Sequence, residues 1–554
     1  MRPLLHVWIR TRSAAFSKVV SAAVTKPVGS SGAALDTHKQ TCGVSRAIVT
    51  AGAAYPKSLK IKSLGMIPDN YKINMKSNRR DFLKFTGIAG IHMVGSTSLL
   101  SCADGKQTSA EKGTLTHTWE ASQKKYEQQF NMSGYAAPKI ETVRVGFIGL
   151  GNRGGAAVER ISYLDGVAIN ALCDVQPEKV NAAKARIKGL GHDPQFYSSG
   201  AEAWKEVCDS PKIDLVYICT HWALHTPIAL YAMRQGKHVA VEIPAATTME
   251  DCWQLVETSE KTRKHCVMLE NCCYDFFELL TLNMAQKGFF GELVHGEGAY
   301  IHDILESFFD QDKRWDFWRL KENAERNGNL YPTHGFGPIC QAMGINRGDK
   351  LEYMVSMSSN DFMLAPRAAE EAEKNTAFEA YRRQHFRGNM NTSTIRTNKG
   401  RTIMVQHDVS SPRPYSRIHL LSGTKATAQK YPLPGKIAVS HEGWLSDEEM
   451  REIEAEYTPA IVKKIGDLAK HLGGHGGMDF MMDWRLVDCL RNGLPMDMDV
   501  YDAASWSAIG PLSEWSVANK SRPIEVPDFT GGKWQKNKSV DLSLEKGGTT
   551  GVKV

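Results

Sequence analysis

The sequence predicts an α/β protein, with an N-terminal doubly wound parallel sheet and then an α+β domain carrying a mostly antiparallel, open sheet. Three observations predict it. From residue 143 short β-rich runs alternate with helical patterns, as parallel strands joined by crossover helices do. A glycine turn joins the first run to the helix after it. Beyond residue 275 longer alternating runs take over, the mark of half-buried strands.

The predicted strands of the first domain are 143–148, 167–173, 214–219, 238–242 and 266–270, with helices such as Gly154–Leu164 and Thr226–Gln235 between them. In the second domain Leu293–Ile301, Leu351–Ser358, Arg401–Asp408 and Arg417–Ser422 read as strands, and Asp447–Glu456 and Met478–Asn492 as helices. No internal repeat is present.

The glycine turn is the most informative feature. Val143-Arg144-Val145-Gly146-Phe147-Ile148 runs into Gly149-Leu150-Gly151-Asn152-Arg153-Gly154. Gly149 permits a tight turn, and Gly151 lets the backbone approach a pyrophosphate. The helix that follows offers free N–H groups and a positive dipole end to the phosphates. A second apolar run ends at Asp174, about 20 residues on, where a ribose-binding acid belongs. A carboxylate there repels a 2′-phosphate, so the expected cofactor is NAD. The third glycine of the plain fingerprint is replaced by Asn152-Arg153-Gly154.

Bulk properties exclude several classes. The chain has 554 residues, 42% hydrophobic and 23% charged, as an ordinary globular protein does. Its net charge is +7, but the first 74 residues hold only two acids, Asp36 and Asp69, against many Lys and Arg. No basic helix is interleaved with aromatics, so no nucleic-acid partner is expected. The 11 cysteines have no regular spacing and no Cys-x-x-Cys pair, which reads as reduced core cysteine. Neither His-Glu-x-x-His nor Gly-x-Ser-x-Gly occurs, so no metal and no serine nucleophile elbow is expected.

A second segment points to export. Met75-Lys76-Ser77-Asn78-Arg79-Arg80 precedes a broken apolar run that ends Leu99-Leu100-Ser101-Cys102. The run is too short and too interrupted to span a membrane. It resembles a twin-arginine signal followed by a lipoprotein box, with Cys102 lipidated. On this reading 1–74 is an upstream extension, 75–102 the signal and 103–140 a polar tether. The expected location is the cell envelope, periplasm or surface, with the membrane touched only through the lipid. A twin-arginine route carries folded proteins, so an enzyme would take its NAD along.

The remaining motifs carry a family resemblance. Gly149-x-Gly151-x-Arg153-Gly154, Thr220…His225 and Gly236-Lys237-His238-Val239…Glu242-x-Pro244 resemble the Gfo/Idh/MocA oxidoreductases over roughly 143–530. A narrower match comes from Glu242-Ile243-Pro244, Tyr331-Pro332-Thr333-His334 and Gly473-Gly474-His475-Gly476-Gly477. Together these resemble glycoside hydrolase family 109, whose known members are NAD-dependent α-N-acetylgalactosaminidases. The resemblance implies a Rossmann domain over 141–272, a substrate domain over 273–540 and a flexible tail, 541–554. It assigns Gly149, Gly151, Asn152, Arg153, Gly154, Asp174, Trp222, His225, Glu242, Ile243 and Asn271 to NAD. It assigns Tyr300, Arg319, Tyr331, Pro332, Thr333, His334 and Tyr415 to the sugar, with His334, Tyr415 and Tyr300 as proton-transfer groups. His334 falls in a Pro/Gly-bounded loop by pattern, and an imidazole suits acid–base work. Ile243 stands where the superfamily's dehydrogenases carry a lysine, and an apolar side chain relays no proton. That departure favours the hydrolase branch over a sugar or inositol oxidoreductase, while a non-catalytic NAD-containing sugar-binding lipoprotein stays open. The implied reaction releases terminal α-linked N-acetylgalactosamine by transient C3 oxidation, elimination and water addition. The sequence leaves His475 open between structural and functional roles, and is compatible with a homodimer.

Overall fold

The computed structural model describes residues 109–311 and 316–553. The upstream extension, the signal with Arg79, Arg80 and Cys102, and Trp315 lie outside the described residues.

Six strands form the first sheet: β1 (Val143–Ile148), β2 (Val167–Cys173), β3 (Gln195–Tyr197), β4 (Leu215–Ile218), β5 (His238–Val241) and β6 (Cys266–Met268). All pairings are parallel, in the order β3-β2-β1-β4-β5-β6. Every residue of β4 and β5 is buried, as expected of strands covered on both faces. The order reverses between β1 and β4, and this opens a crevice at the carboxyl ends. Each candidate cofactor residue follows one of those ends.

The second sheet holds β7 (Leu293–Ile301), β8 (Leu351–Ser358), β9 (Asn391–Thr397), β10 (Thr402–Asp408), β11 (Ser416–Gly423), β12 (Thr427–Gln429), β13 (Lys436–Ala438) and β14 (Ile524–Glu525). Its order is β13-β12-β11-β7-β10-β9-β8-β14, with β10 parallel to β7 and the remaining pairs antiparallel. Sequence reading misses β9, because Asn391, Ser393 and Thr397 give it no apolar alternation. Their polar groups are satisfied inside: Ser356 Oγ and Ser393 Oγ are 3.0 Å apart, and Asn391 Nδ2 donates to Ser356 Oγ at 2.9 Å.

Helices that frame the site are α1 (Ser109–Ser122), α2 (Asn152–Ser162), α3 (Met249–Thr262), α4 (Thr333–Met343), α5 (Met478–Asn492), α6 (Val500–Ser507) and α7 (Ile509–Ala518). Two expectations are corrected here. The segment 109–140 is no tether. Trp119 stacks on Trp515 at 4.9 Å, and the buried carboxylate of Glu260 accepts the Tyr126 hydroxyl at 2.6 Å and the Gln129 N–H at 2.9 Å. Aromatic anchors scattered through polar sequence hold it down, and mean composition hides them. The tail is pinned too. Asp488 accepts the N–H groups of Gly548 at 2.7 Å and Thr550 at 3.1 Å, and Trp484 Nε1 donates to the Thr550 carbonyl at 2.9 Å. The last helices of the chain also return to the first sheet. Helix α5 packs on α2 and β1, and α6 on α3 and β6, so the chain returns to cover the first sheet.

Candidate active site

The glycine turn fits a dinucleotide. Gly149 has φ +86, and a Cβ there would stand 2.7 Å from the Cys219 carbonyl. Gly151 caps α2 with no side-chain hydrogen bond, and a Cβ on it would meet open space. Unsatisfied N–H groups therefore face a space into which a pyrophosphate can come. Asp174 closes β2 beside the turn, its carboxylate accepting the N–H groups of Leu150 at 2.6 Å and Gln176 at 2.9 Å.

Arg153 lies between two carboxylates. Its Nε donates to Glu242 Oε1 at 2.7 Å and its Nη1 to Asp479 Oδ2 at 2.9 Å. Asp479 also accepts from Asn271 Nδ2 and stands 2.8 Å from His475 Nδ1. Burial disfavours the Asp479 carboxylate, but the His475 hydrogen bond and the nearby Arg153 and Arg160 hold its pKa far below the usual carboxylate range. Three candidate cofactor residues, Arg153, Glu242 and Asn271, thus meet at or next to one acid that the sequence did not single out. The signal available for it was an acid in the first turn of a helix opened by glycines.

His225 is corrected. Its Nδ1 lies 2.8 Å from the Pro244 carbonyl and its Nε2 3.0 Å from that of Thr220. Both nitrogens are engaged inside the protein, so the ring braces the turns after β4 and β5 and presents nothing to a ligand. Ile243 is buried beside it.

The sugar side gathers around α4. His334 belongs to the first turn of that helix, not to a loop, because Pro332 caps a helix whose glycines masked it in the sequence. Gly335 is required there: a Cβ would collide with the Ala299 backbone on β7. This contact sets His334 against Tyr300, with ring centroids 5.3 Å apart. Tyr331 lies 4.7 Å from Tyr300 and 5.2 Å from His334, and Tyr415 lies 6.4 Å from Tyr300. The Tyr300 hydroxyl meets His302 Nδ1 at 2.8 Å, and His302 packs on Tyr415 at 5.0 Å, so His302 joins the cluster though sequence reading passed it over. Arg417 Nη1 donates to the Tyr415 hydroxyl at 3.3 Å and is itself held by Asp275 and Glu278 at 2.6 Å each.

Trp222 lies face to face with Tyr331 at 5.8 Å, and meets Trp318 at 5.0 Å. Arg319 sits over all three rings, 5.1 to 5.3 Å from their centroids. This aromatic wall joins the cofactor side of the crevice to the tyrosine cluster. Pro332 and Thr333 are buried beneath it.

Glu270, which follows β6, is the second acid missed from sequence. It is fully buried, and its Oε1 stands 2.7 Å from His334 Nδ1. Burial opposes its charge, but the His334 imidazole beside it holds the carboxyl below its usual range. The imidazole Nδ1–H donates to the carboxylate, which leaves Nε2 as the reactive nitrogen. Cys272 completes a group whose ligand-type atoms lie within 4.8 Å of one another. Burial pushes the Cys272 thiol up, so it stays protonated and acts as a hydrogen-bond partner.

Comparisons with known proteins agree with this arrangement. The family model for an oxidoreductase family with an NAD-binding Rossmann fold matches residues 143–270. That for the C-terminal domain of glycosyl hydrolase 109 matches 274–536. An alpha-N-acetylgalactosaminidase of Bacteroides fragilis is 47% identical over 419 residues, covering 74% of this chain and 97% of that protein. A glycosyl hydrolase family 109 protein of Phocaeicola vulgatus is 46% identical over 411 residues, 73% and 98% of the two chains. Among solved structures, levoglucosan dehydrogenase in complex with NADH and L-sorbose superposes with TM-score 0.54 at 17% identity, over 70% of this chain and 100% of that one. The last likeness shows the fold alone, an NAD-type Rossmann domain joined to an open sheet. The chain belongs to glycosyl hydrolase family 109, with NAD as the cofactor of its Rossmann domain.

Proposed function

We propose that this protein hydrolyses terminal α-linked N-acetylgalactosamine, using NAD that stays bound through the cycle. The observation that carries the reading is the His334–Glu270 pair, set among three tyrosines beside the cofactor crevice. The relatives' activity supports the substrate class. When bound, NAD⁺ supplies reversible oxidation at sugar C3, which makes the C2 proton acidic. This route needs no facing pair of carboxylates.

His334 Nε2 takes the C2 proton, and Glu270 stabilises the imidazolium that forms. The C1–O bond then breaks. The phenol of Tyr415 or Tyr300 delivers a proton to the leaving oxygen, Tyr415 through its contact with Arg417 and Tyr300 through its contact with His302. Water adds at C1 and gives a proton to the tyrosinate, and His334, after exchanging its proton with solvent, protonates C2. Arg319 and the Trp222–Tyr331 wall bind and orient the ring. Ile243 has no proton to give, so proton transfer falls to His334 and the tyrosines.

The test is isotopic. Product formed in D₂O from a nitrophenyl α-N-acetylgalactosaminide is expected to carry deuterium at C2, read by mass spectrometry and NMR. Hydrolysis that leaves C2 fully protiated overturns the elimination route, since direct displacement never breaks that bond.

We further propose that the chain is exported by a twin-arginine route and held at the cell envelope by a lipid on Cys102. Replacing Arg79 and Arg80 by lysine is expected to leave the protein in the cytoplasm, and Cys102→Ala to release it from the membrane fraction. Unchanged fractionation in either variant rejects the corresponding part.

A further inference from the structure

The contacts that brace His334 also form a ligand set that the mechanism does not use. Glu270 and Cys272 belong to the turn after β6, and His334 to the first turn of α4, 62 residues beyond Cys272. The Glu270 side chain caps its own turn by accepting the Cys272 N–H at 3.0 Å, which keeps carboxylate and thiol close together. Cys272 Sγ lies 3.1 Å from His334 Nδ1, and Glu270 Oε1 lies 2.7 Å from the same nitrogen. One oxygen, one sulfur and one nitrogen thus fall within 4.8 Å of one another, and among the described residues this is the one such group of three. Glu270 and Cys272 are buried, and the His334 side chain is 15% exposed.

The chemistry of the set selects the cation. Thiolate and imidazole favour zinc over magnesium or calcium, which take oxygen ligands. Tetrahedral zinc holds such atoms about 3.4 to 3.6 Å apart, so side-chain rotations of about half an ångström open the two contacts to fit it. Three protein ligands leave the fourth position for water. No sequence motif announces the set, because its members come from two elements that only the fold brings together.

We propose that Glu270, Cys272 and His334 form a zinc site that switches the enzyme off. A Zn–S bond forms as the Cys272 S–H bond breaks, and that proton leaves to solvent. Zinc takes the Nδ1 lone pair of His334, and the Nδ1 proton passes through solvent to Nε2. One proton is released for each zinc bound. Nε2 then has no lone pair left to accept the sugar C2 proton. The inhibition rests on the reading of His334 as the base; the metal site itself does not.

The experiment uses holo-protein freed of metal with a chelator and then titrated with cadmium or with zinc. Cadmium binding is read without substrate, from the thiolate-to-cadmium charge-transfer band in the ultraviolet. A band that saturates at one cadmium per chain is expected, and Cys272→Ser is expected to lack it. Zinc inhibition is read on the nitrophenyl glycoside, each protein against its own metal-free rate. The zinc concentration for half-inhibition is expected to rise at least about tenfold in Cys272→Ser, since even a residue that only supports a metal ligand is worth that much in affinity. Equal bands in Cys272→Ser and the wild type overturn the site, and so does half-inhibition within twofold in the two proteins. A Cys272-dependent band with undiminished turnover at saturating metal overturns the switch. The same band in a wild type that hydrolyses no glycoside upholds the site and counts against the proposed function instead. Should Cys272→Ser lose the native circular-dichroism spectrum, X-ray absorption at the zinc edge of the wild type takes its place. One sulfur among nitrogen and oxygen neighbours is expected there, and a shell without sulfur overturns the site.

Discussion

His334→Ala is expected to lower turnover by roughly 10²–10⁴, the usual range for a general acid–base group, while NAD stays bound. The reason is positional. His334 enters the site from the first turn of α4, and glycine-mediated contact with β7 sets its ring against Tyr300 and Tyr331. His334 is the imidazole of the cluster that a buried carboxylate braces, with Glu270 Oε1 2.7 Å from its Nδ1. Burial pushes the phenols of Tyr331 and Tyr415 well above their usual range, so they stay protonated and are not ready bases. Alanine removes the base and leaves the dinucleotide crevice intact, since the turn at Gly149–Gly154 and Asp174 lies on other elements. Nucleotide content and C2 deuterium exchange are measured with the rate. A variant that hydrolyses substrate at close to the wild-type rate moves the proton-transfer role to a tyrosine, with Tyr415 the next to replace.

The second large effect is expected from Glu270→Gln, a loss on the order of 10²–10⁴ in kcat with KM little changed. Glu270 touches no substrate in this scheme. It is a positioning residue: its carboxylate fixes the proton on His334 Nδ1 and offsets the charge that appears when Nε2 becomes protonated. An amide at 270 can donate to Nδ1, which favours the tautomer with its proton on Nε2, where no base is left. A merely structural role predicts something else, a lowered melting temperature with kcat per folded molecule retained. Glu270→Asp keeps the charge at a longer reach and is expected to recover part of the loss. Equal kcat in the wild type and Glu270→Gln, with the same nucleotide content, removes the residue from the mechanism.

The two domains were legible because their signals are local. The period of apolar residues along Val143–Ile148 or Leu293–Ile301 reports burial directly, and both strands fall where the pattern puts them. The glycine turn was legible for the same reason, since tight turns and close approach restrict residue type over a few positions. Strand β9 was not, because hydroxyl and amide groups satisfy one another across the sheet and leave no apolar rhythm. The segment 109–140 was not either, since a few aromatic anchors and one buried acid fix it against residues far along the chain.

The sequence by itself determined the sheet order class, the cofactor turn and the family motifs, through Gly149, Gly151, Asp174 and Tyr331–His334. Only the tertiary structure decided which side chains work together. Glu270 follows a strand and His334 opens a helix 64 residues later, yet their side chains meet at 2.7 Å. Asp479 lies 326 residues beyond Arg153 and holds it at 2.9 Å. His225, equally prominent as a motif residue, has both nitrogens engaged by backbone carbonyls. A carboxylate's effect on an imidazole or guanidinium falls off over a few ångströms and depends on the exclusion of water. Distance and burial are properties of the folded chain, so no local pattern reports them.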